Sequence, residues 1–92
     1  MIKTFKCKDT QTLFRGRRVA RFVNVERAAL RKLEQLDLAT VIEDMRAPPG
    51  NRLEPLRADR VGQWSVRIND QWRLCFRFVD GDAWDVEIVD YH

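Results

Sequence analysis

Histidine is almost missing from this 92-residue chain: its single copy is His92, the last residue. Cysteine is nearly as scarce, with Cys7 and Cys75 far apart and in no CxxC spacing. Without His and Cys at ligand spacing, no metal site is expected, and no other cofactor is called for. Two isolated thiols, buried or idle, fit a reducing compartment. No apolar run approaches the ~20 residues that cross a bilayer. Met1-Ile2-Lys3-Thr4-Phe5-Lys6 lacks the apolar stretch of a secretory signal. Both absences point to the cytoplasm and away from a membrane. With 45% apolar and 34% charged residues, the chain reads as one globular domain over 1–92 with a modest core.

Acidic charge is scarce in one place. Residues 1–32 carry ten Lys/Arg and two acids, a net of +8, whereas residues 33–60 are net −2 and residues 61–92 net −3. A basic first third on a near-neutral body suits a polyanionic partner, most often nucleic acid. The densest part is Arg15-Gly16-Arg17-Arg18-Val19-Ala20-Arg21, four arginines around a glycine with no neighbouring acid in sequence. Arg15, Arg17, Arg18 and Arg21 are therefore candidate phosphate contacts; the plainer reading is a solvated basic face.

The hydrophobic period changes halfway along. Ile2 to Lys6 alternates as a short strand. Asp9 or Thr10 can cap a short helix that stops at Gly16, and Arg17 to Arg21 follows as a basic loop. Asn24 suits the cap of a helix with a stripe at Val25, Ala28, Ala29, Leu33 and Leu36. Asp37 suits the cap of another short helix carrying Leu38, Val41, Ile42 and Met45, ended by Pro48-Pro49-Gly50-Asn51. From there the period is two. Leu53-Glu54-Pro55-Leu56 reads as an edge segment, because Pro55 cannot donate to a ladder. Gln63–Ile68, Gln71–Phe78 and Trp84–Val89 read as strands joined by turns at Asn69-Asp70 and Asp80-Gly81. Alternation puts Trp64, Trp72, Trp84, Leu74, Phe76, Phe78, Val86 and Ile88 on an oily face. Ser65, Arg67, Arg73, Cys75, Arg77, Asp85 and Glu87 fall on a polar one. The expected fold is α+β, with N-terminal helices packed on one face of a small twisted antiparallel sheet. The polar face is then left open as a docking groove, or carries only cross-strand ion pairs.

The chain ends on Asp90-Tyr91-His92, directly after the last strand. Three proton-handling side chains there, near Arg67, Arg73 and Arg77, suit chemistry on a phosphodiester, where a proton moves while negative charge builds. An imidazole both gives and takes protons near neutral pH. The plainer alternative is a frayed chain end.

Three stretches together resemble the RelE/HigB superfamily of bacterial toxins, and in it the HigB-like host-inhibition subgroup of type II toxin–antitoxin systems. They are Met1-Ile2-Lys3-Thr4-Phe5-Lys6, Asn69-Asp70-Gln71-Trp72-Arg73-Leu74-Cys75-Phe76 and Glu87-Ile88-Val89-Asp90-Tyr91-His92. The resemblance implies a RelE-like fold and metal-independent, ribosome-dependent cleavage of messenger RNA, with attack by a ribose 2′-hydroxyl on the adjacent phosphate. By position, Arg73 would stabilise charge on the phosphate, while Asp90, Tyr91 and His92 would orient the RNA and move protons. Arg57 takes the place of a basic phosphate contact, and Arg67 and Arg77 add to the RNA-binding face. Glu54 is a departure, since a histidine commonly stands in that short strand in HigB toxins. A glutamate there can act as a base but cannot donate as an imidazolium. The implied partners are a HigA-like helix-turn-helix antitoxin, the ribosome and its mRNA, with operator DNA reached only through the antitoxin. Two other readings stay open: a non-catalytic RNA or ribosome binder, and an interaction module acting mainly with its antitoxin in repression.

Overall fold

The structure, a computed structural model, describes residues 1–90. Helix α1 (Lys8–Phe14) and helix α2 (Glu26–Leu38) precede strands β1 (Glu54–Pro55), β2 (Gln63–Arg67), β3 (Trp72–Val79) and β4 (Asp82–Asp90). The strands form an antiparallel meander in the order β1-β2-β3-β4. The N-terminal stretch lies parallel along the outer edge of β4, through bridges Ile2–Ala83 and Phe5–Val86. That stretch covers an edge that would otherwise offer unpaired backbone groups.

Burial explains the layering. Leu13, Phe22, Ala29, Leu33, Leu36 and Met45 from the helical half are fully buried against Val66, Leu74, Phe76, Ala83, Val86 and Ile88 from the sheet. At ~25 cal/mol per Å² of apolar surface, each large side chain here contributes about 1.5–3 kcal/mol. Thr10 ties the layers together from within, its Oγ1 accepting from Ile88 N at 3.0 Å.

The helical half differs from the sequence reading in three places. Helix α1 begins at Lys8 with no side-chain cap, one residue ahead of Asp9. Helix α2 follows Val25 rather than Asn24, and it runs through Asp37 without a break. Asp37 instead accepts from Ile2 N at 2.9 Å and docks the N-terminal stretch. The following 3₁₀ turn, Ile42–Met45, is capped by Asp44, whose Oδ2 accepts from Thr40 N at 2.9 Å and Val41 N at 3.3 Å. Fully buried Asn51 then pins the proline loop by donating to Met45 O and Ala47 O, both at 3.0 Å.

The sheet differs in one consequential place. The register shifts by one residue between Cys75 and Arg77 of β3, so that Arg77 pairs with Trp84 while Cys75 pairs with Glu87. The extra residue lies on β4, where Asp85 has φ +54°. A bulge of this kind re-aims the flanking side chains. Ala83, not Trp84, enters the core, and Trp84 is turned to the polar face beside Arg77. The Asp80-Gly81 hairpin forms as expected, with φ +51° and +83° at its two central residues, the geometry of a type I′ turn.

Candidate functional site

The polar face is built by four strands in register. Glu54, Ser65, Cys75 and Glu87 stand in one cross-strand row. Arg67, Arg73 and Val89 form the next. Arg73 is only 14% exposed, and its Nη1 donates to Glu54 Oε1 and to Ser65 Oγ, both at 3.1 Å. The edge strand β1 therefore delivers Glu54 to the guanidinium, and β2 delivers the hydroxyl.

The face is not left open along its whole length. The 3₁₀ turn Ala58–Arg60 folds over it, and Ser65 and Cys75 beneath are 0% and 1% exposed. Arg60 closes the lid: its Nη1 lies 3.3 Å from Glu87 Oε1 and 3.5 Å from Gln63 Oε1. Glu87 Oε1 is buried and has no hydrogen bond with good geometry, so its stabilisation there is the charge of Arg60. Burial pushes the Cys75 thiol up, against the pull of Arg60 and Arg73, so it stays a thiol. What remains open is a cleft of about 290 Å³ lined by Leu56, Arg57, Arg60, Cys75, Val89 and Asp90.

Asp90 sits at this cleft, at the end of β4. It pairs with Trp72, one residue from Arg73, and its Oδ2 accepts from Gln71 Nε2 at 3.1 Å. Gln71 is itself fixed by the turn, where Asn69 Oδ1 accepts from Gln71 N and Trp72 N at 2.9 and 2.8 Å. Tyr91 and His92 lie outside the described residues. The structure thus brings Glu54, Arg57 and Arg73 to one end of the polar face, while Asp90 lines the adjoining cleft although its register partner, Trp72, belongs to the other face. It sends Arg67 to the turn, paired with Asp70, and Arg77 to the far end, paired with Asp85 at 3.4 Å. Arg60 and Cys75 complete the cleft. Arg60 escaped the sequence reading because nothing local marks a turn residue that folds back over a sheet.

The basic segment has partners that its local sequence does not show. Arg15, Arg17, Arg18 and Arg21 are exposed as expected, but acids distant in sequence reach two of them. Arg18 Nε lies 3.4 Å from Glu26 Oε2, and Arg21 Nε lies 3.6 Å from Asp9 Oδ2. The Arg21 guanidinium also stacks over Phe22 and Trp72, 4.7 and 5.8 Å from the ring centroids. The segment belongs to the helical layer, across the sheet from Arg73. Among the described residues, no three His, Cys, Asp or Glu side chains gather as a metal site.

A family model described as the RelE-like toxin of the type II toxin–antitoxin system HigB matches residues 3–92. The chain is 38% identical to the Endoribonuclease HigB of Proteus vulgaris over the full length of both proteins. It is 50% identical to Toxin HigB-1 of Vibrio cholerae over 60 residues, 65% of this chain and 63% of that protein. In fold it resembles E. coli YafQ, with a TM-score of 0.56 at 16% identity over 98% of this chain and 91% of that one. It also resembles a chain of the YoeB-YefM complex from Staphylococcus aureus, with a TM-score of 0.55 at 16% identity over 100% and 95%.

Proposed function

This chain belongs to the HigB-like family of RelE-like toxins of type II toxin–antitoxin systems, and we propose that it halts growth by cutting messenger RNA held in the ribosome. The reading rests above all on one arrangement: a mostly buried arginine held between a carboxylate and a hydroxyl, opposite Val89, which lines a cleft together with Arg57, Arg60 and Asp90. A guanidinium in that position meets two phosphate oxygens and gains most as charge builds between them.

The reaction needs only side chains. A base takes the proton of a ribose 2′-hydroxyl, the oxygen bonds to the neighbouring phosphorus, and the bond to the 5′-oxygen breaks. The leaving oxygen takes a proton, giving a 2′,3′-cyclic phosphate and a 5′-hydroxyl. Arg73 carries the charge on the phosphate. Arg57 supplies a further cation at the cleft. Asp90, Tyr91 and His92 orient the strand and exchange the protons. Glu54 holds Arg73 in place and is a poor candidate for the base while it does so.

An antitoxin is the family's partner. Here we take it to be a HigA-like helix-turn-helix protein, through which alone the toxin reaches operator DNA. The working compartment is the cytoplasm, where ribosomes are, and no helix among the described residues is long and apolar enough to cross a membrane. The test is induced expression with mapping of mRNA 5′ ends. New 5′ ends within translated codons, appearing with growth arrest, are expected. The ion pair at Arg73 gives the non-catalytic binder its best footing, and arrest without new ends would establish that reading instead.

A further inference from the structure

The bulge in β4 does something that cleavage chemistry at Arg73 does not require. Without it, alternation would bury Trp84 in the core. With it, the indole is turned out on the polar face and left 38% exposed. The bulge is also firmly built. Asp85 N donates to Thr4 Oγ1 at 2.8 Å, Val86 N to Thr4 O at 3.1 Å, and Lys6 N to Val86 O at 3.0 Å. A non-glycine residue at φ +54° is held there by the covering N-terminal stretch.

Trp84 has a defined setting. It stands directly opposite Arg77, whose side chain is 43% exposed and whose Nε lies 3.4 Å from Asp85 Oδ2. On the other side Arg77 packs over Gly62, where a Cβ would fall 2.8 Å from Nη1. Gly62, at φ +94°, is thus the residue that lets the guanidinium lie flat on the sheet. Val79, 52% exposed, extends the same patch along β3. The result is a flat apolar ring beside a planar cation already balanced by a carboxylate. Such a surface favours the π-face of a base over a bare phosphate.

We propose that Trp84, supported by Arg77, is a stacking subsite for a nucleobase of the same RNA strand that is cut at Arg73. The inference rests on the function proposed above. Its occupant follows from continuity: Arg77 is four residues from Arg73 on the same strand and face, a separation of ~13 Å. A base seated there flanks the cut rather than adjoining it. Stacking of this kind adds affinity with little choice of base, because every base has a π-face.

The experiment titrates the protein against ribosomes carrying a defined mRNA in single-turnover cleavage, reading the half-saturating concentration and the limiting rate. Trp84→Ala should raise the half-saturating concentration roughly tenfold, with a much smaller change in limiting rate. Trp84→Phe should recover most of the loss. An mRNA with an abasic nucleotide at one flanking position should impose the same loss on the wild type and none on Trp84→Ala. Equal half-saturation for wild type and Trp84→Ala overturns the subsite, as does a loss that Phe does not relieve or that persists unchanged at every abasic position. Weakened antitoxin binding with unchanged RNA saturation gives the patch to the antitoxin. A wild type that cuts nothing fails the function itself, whereas a wild type that cuts alongside an equally good Trp84→Ala fails only the subsite.

Discussion

Arg73 Nη1 stands 3.1 Å from Glu54 Oε1, so the guanidinium placed to meet a phosphate is already paired with a carboxylate. The pair is uneven. Arg73 is 14% exposed while Glu54 is 50% exposed, on a two-residue edge strand. An ion pair with one well-solvated partner contributes about 0–1 kcal/mol. An incoming phosphate can displace Glu54 at small cost, and Ser65 Oγ keeps the guanidinium oriented meanwhile.

Arg73→Ala and Glu54→Ala should therefore differ sharply. Removing a donor that works mainly in the transition state costs ~10²–10³ in rate. Arg73→Ala should lose that much single-turnover cleavage and all toxicity, yet still fold and bind antitoxin. Glu54→Ala should change the limiting rate less than about tenfold, because it removes only the weak ion pair. A Glu54→Ala enzyme as slow as Arg73→Ala would make Glu54 the catalytic base.

The basic segment calls for a variant that respects its ion pairs. Replacing Arg15, Arg17, Arg18 and Arg21 by Gln together should weaken ribosome association and flatten its salt dependence, by ~0.7–0.9 in the log–log slope for each phosphate no longer neutralised. Arg21 also stacks on Phe22 and Trp72, so the quadruple variant should melt lower. An Arg15→Gln, Arg17→Gln double variant touches neither ion pair and should keep the wild-type melting temperature. Ribosome binding in the quadruple variant equal to wild type at physiological salt would return the segment to a solvated face.

Asp44 makes a stability prediction with a definite sign. Backbone N–H groups of Thr40 and Val41 hold its carboxyl below the ordinary aspartate value. Its folded pKa is thus below its unfolded one. The stabilisation is fully present above the unfolded pKa and is lost as pH falls through the folded one. Asp44→Ala should lower the urea midpoint at pH 7, and the gap to wild type should close below about pH 4. A gap that stays constant down to pH 2.5 would mean the cap acts without its charge.

The sheet was legible in the sequence because a period of two over Gln63–Ile68 and Gln71–Phe78 survives folding, and Asp80-Gly81 sets the hairpin locally. Long-range contacts decided the rest. Trp84 follows the alternation perfectly in sequence, and only the Thr4 hydrogen bonds to β4 show why Asp85 bulges and the indole turns out. Asp37 has the chemistry of a cap but serves Ile2 N, 35 residues away. Arg60 looked like one charge in a loop and is the lid over Ser65 and Cys75. Arg73 and Asp90 were singled out from type and position, but the ion pair between Arg73 and Glu54 was not visible from a separation of 19 residues.

The end of the chain gives the decisive experiment on mechanism. Asp90 pairs with Trp72, beside Arg73, and Gln71 Nε2 holds its carboxylate at 3.1 Å. Tyr91 and His92 follow directly in sequence. His92 is the chain's one imidazole, and no other side chain type here both gives and takes a proton near pH 7. Cysteine does not replace it, because burial holds Cys75 as a neutral thiol. Deletion of Tyr91-His92 leaves every described residue of the buried core in the chain, so the shortened protein should fold and still bind its antitoxin. Its toxicity should be abolished, and mapped mRNA 5′ ends should match those of uninduced cells. His92→Gln alone should cost ~10²–10⁴ in single-turnover rate, the usual range for a general acid or base, and should erase the pH dependence near neutrality. Full toxicity of the deletion, at matched soluble levels, would remove the chain end from the mechanism and leave Arg73 and the cleft as an RNA-binding surface alone.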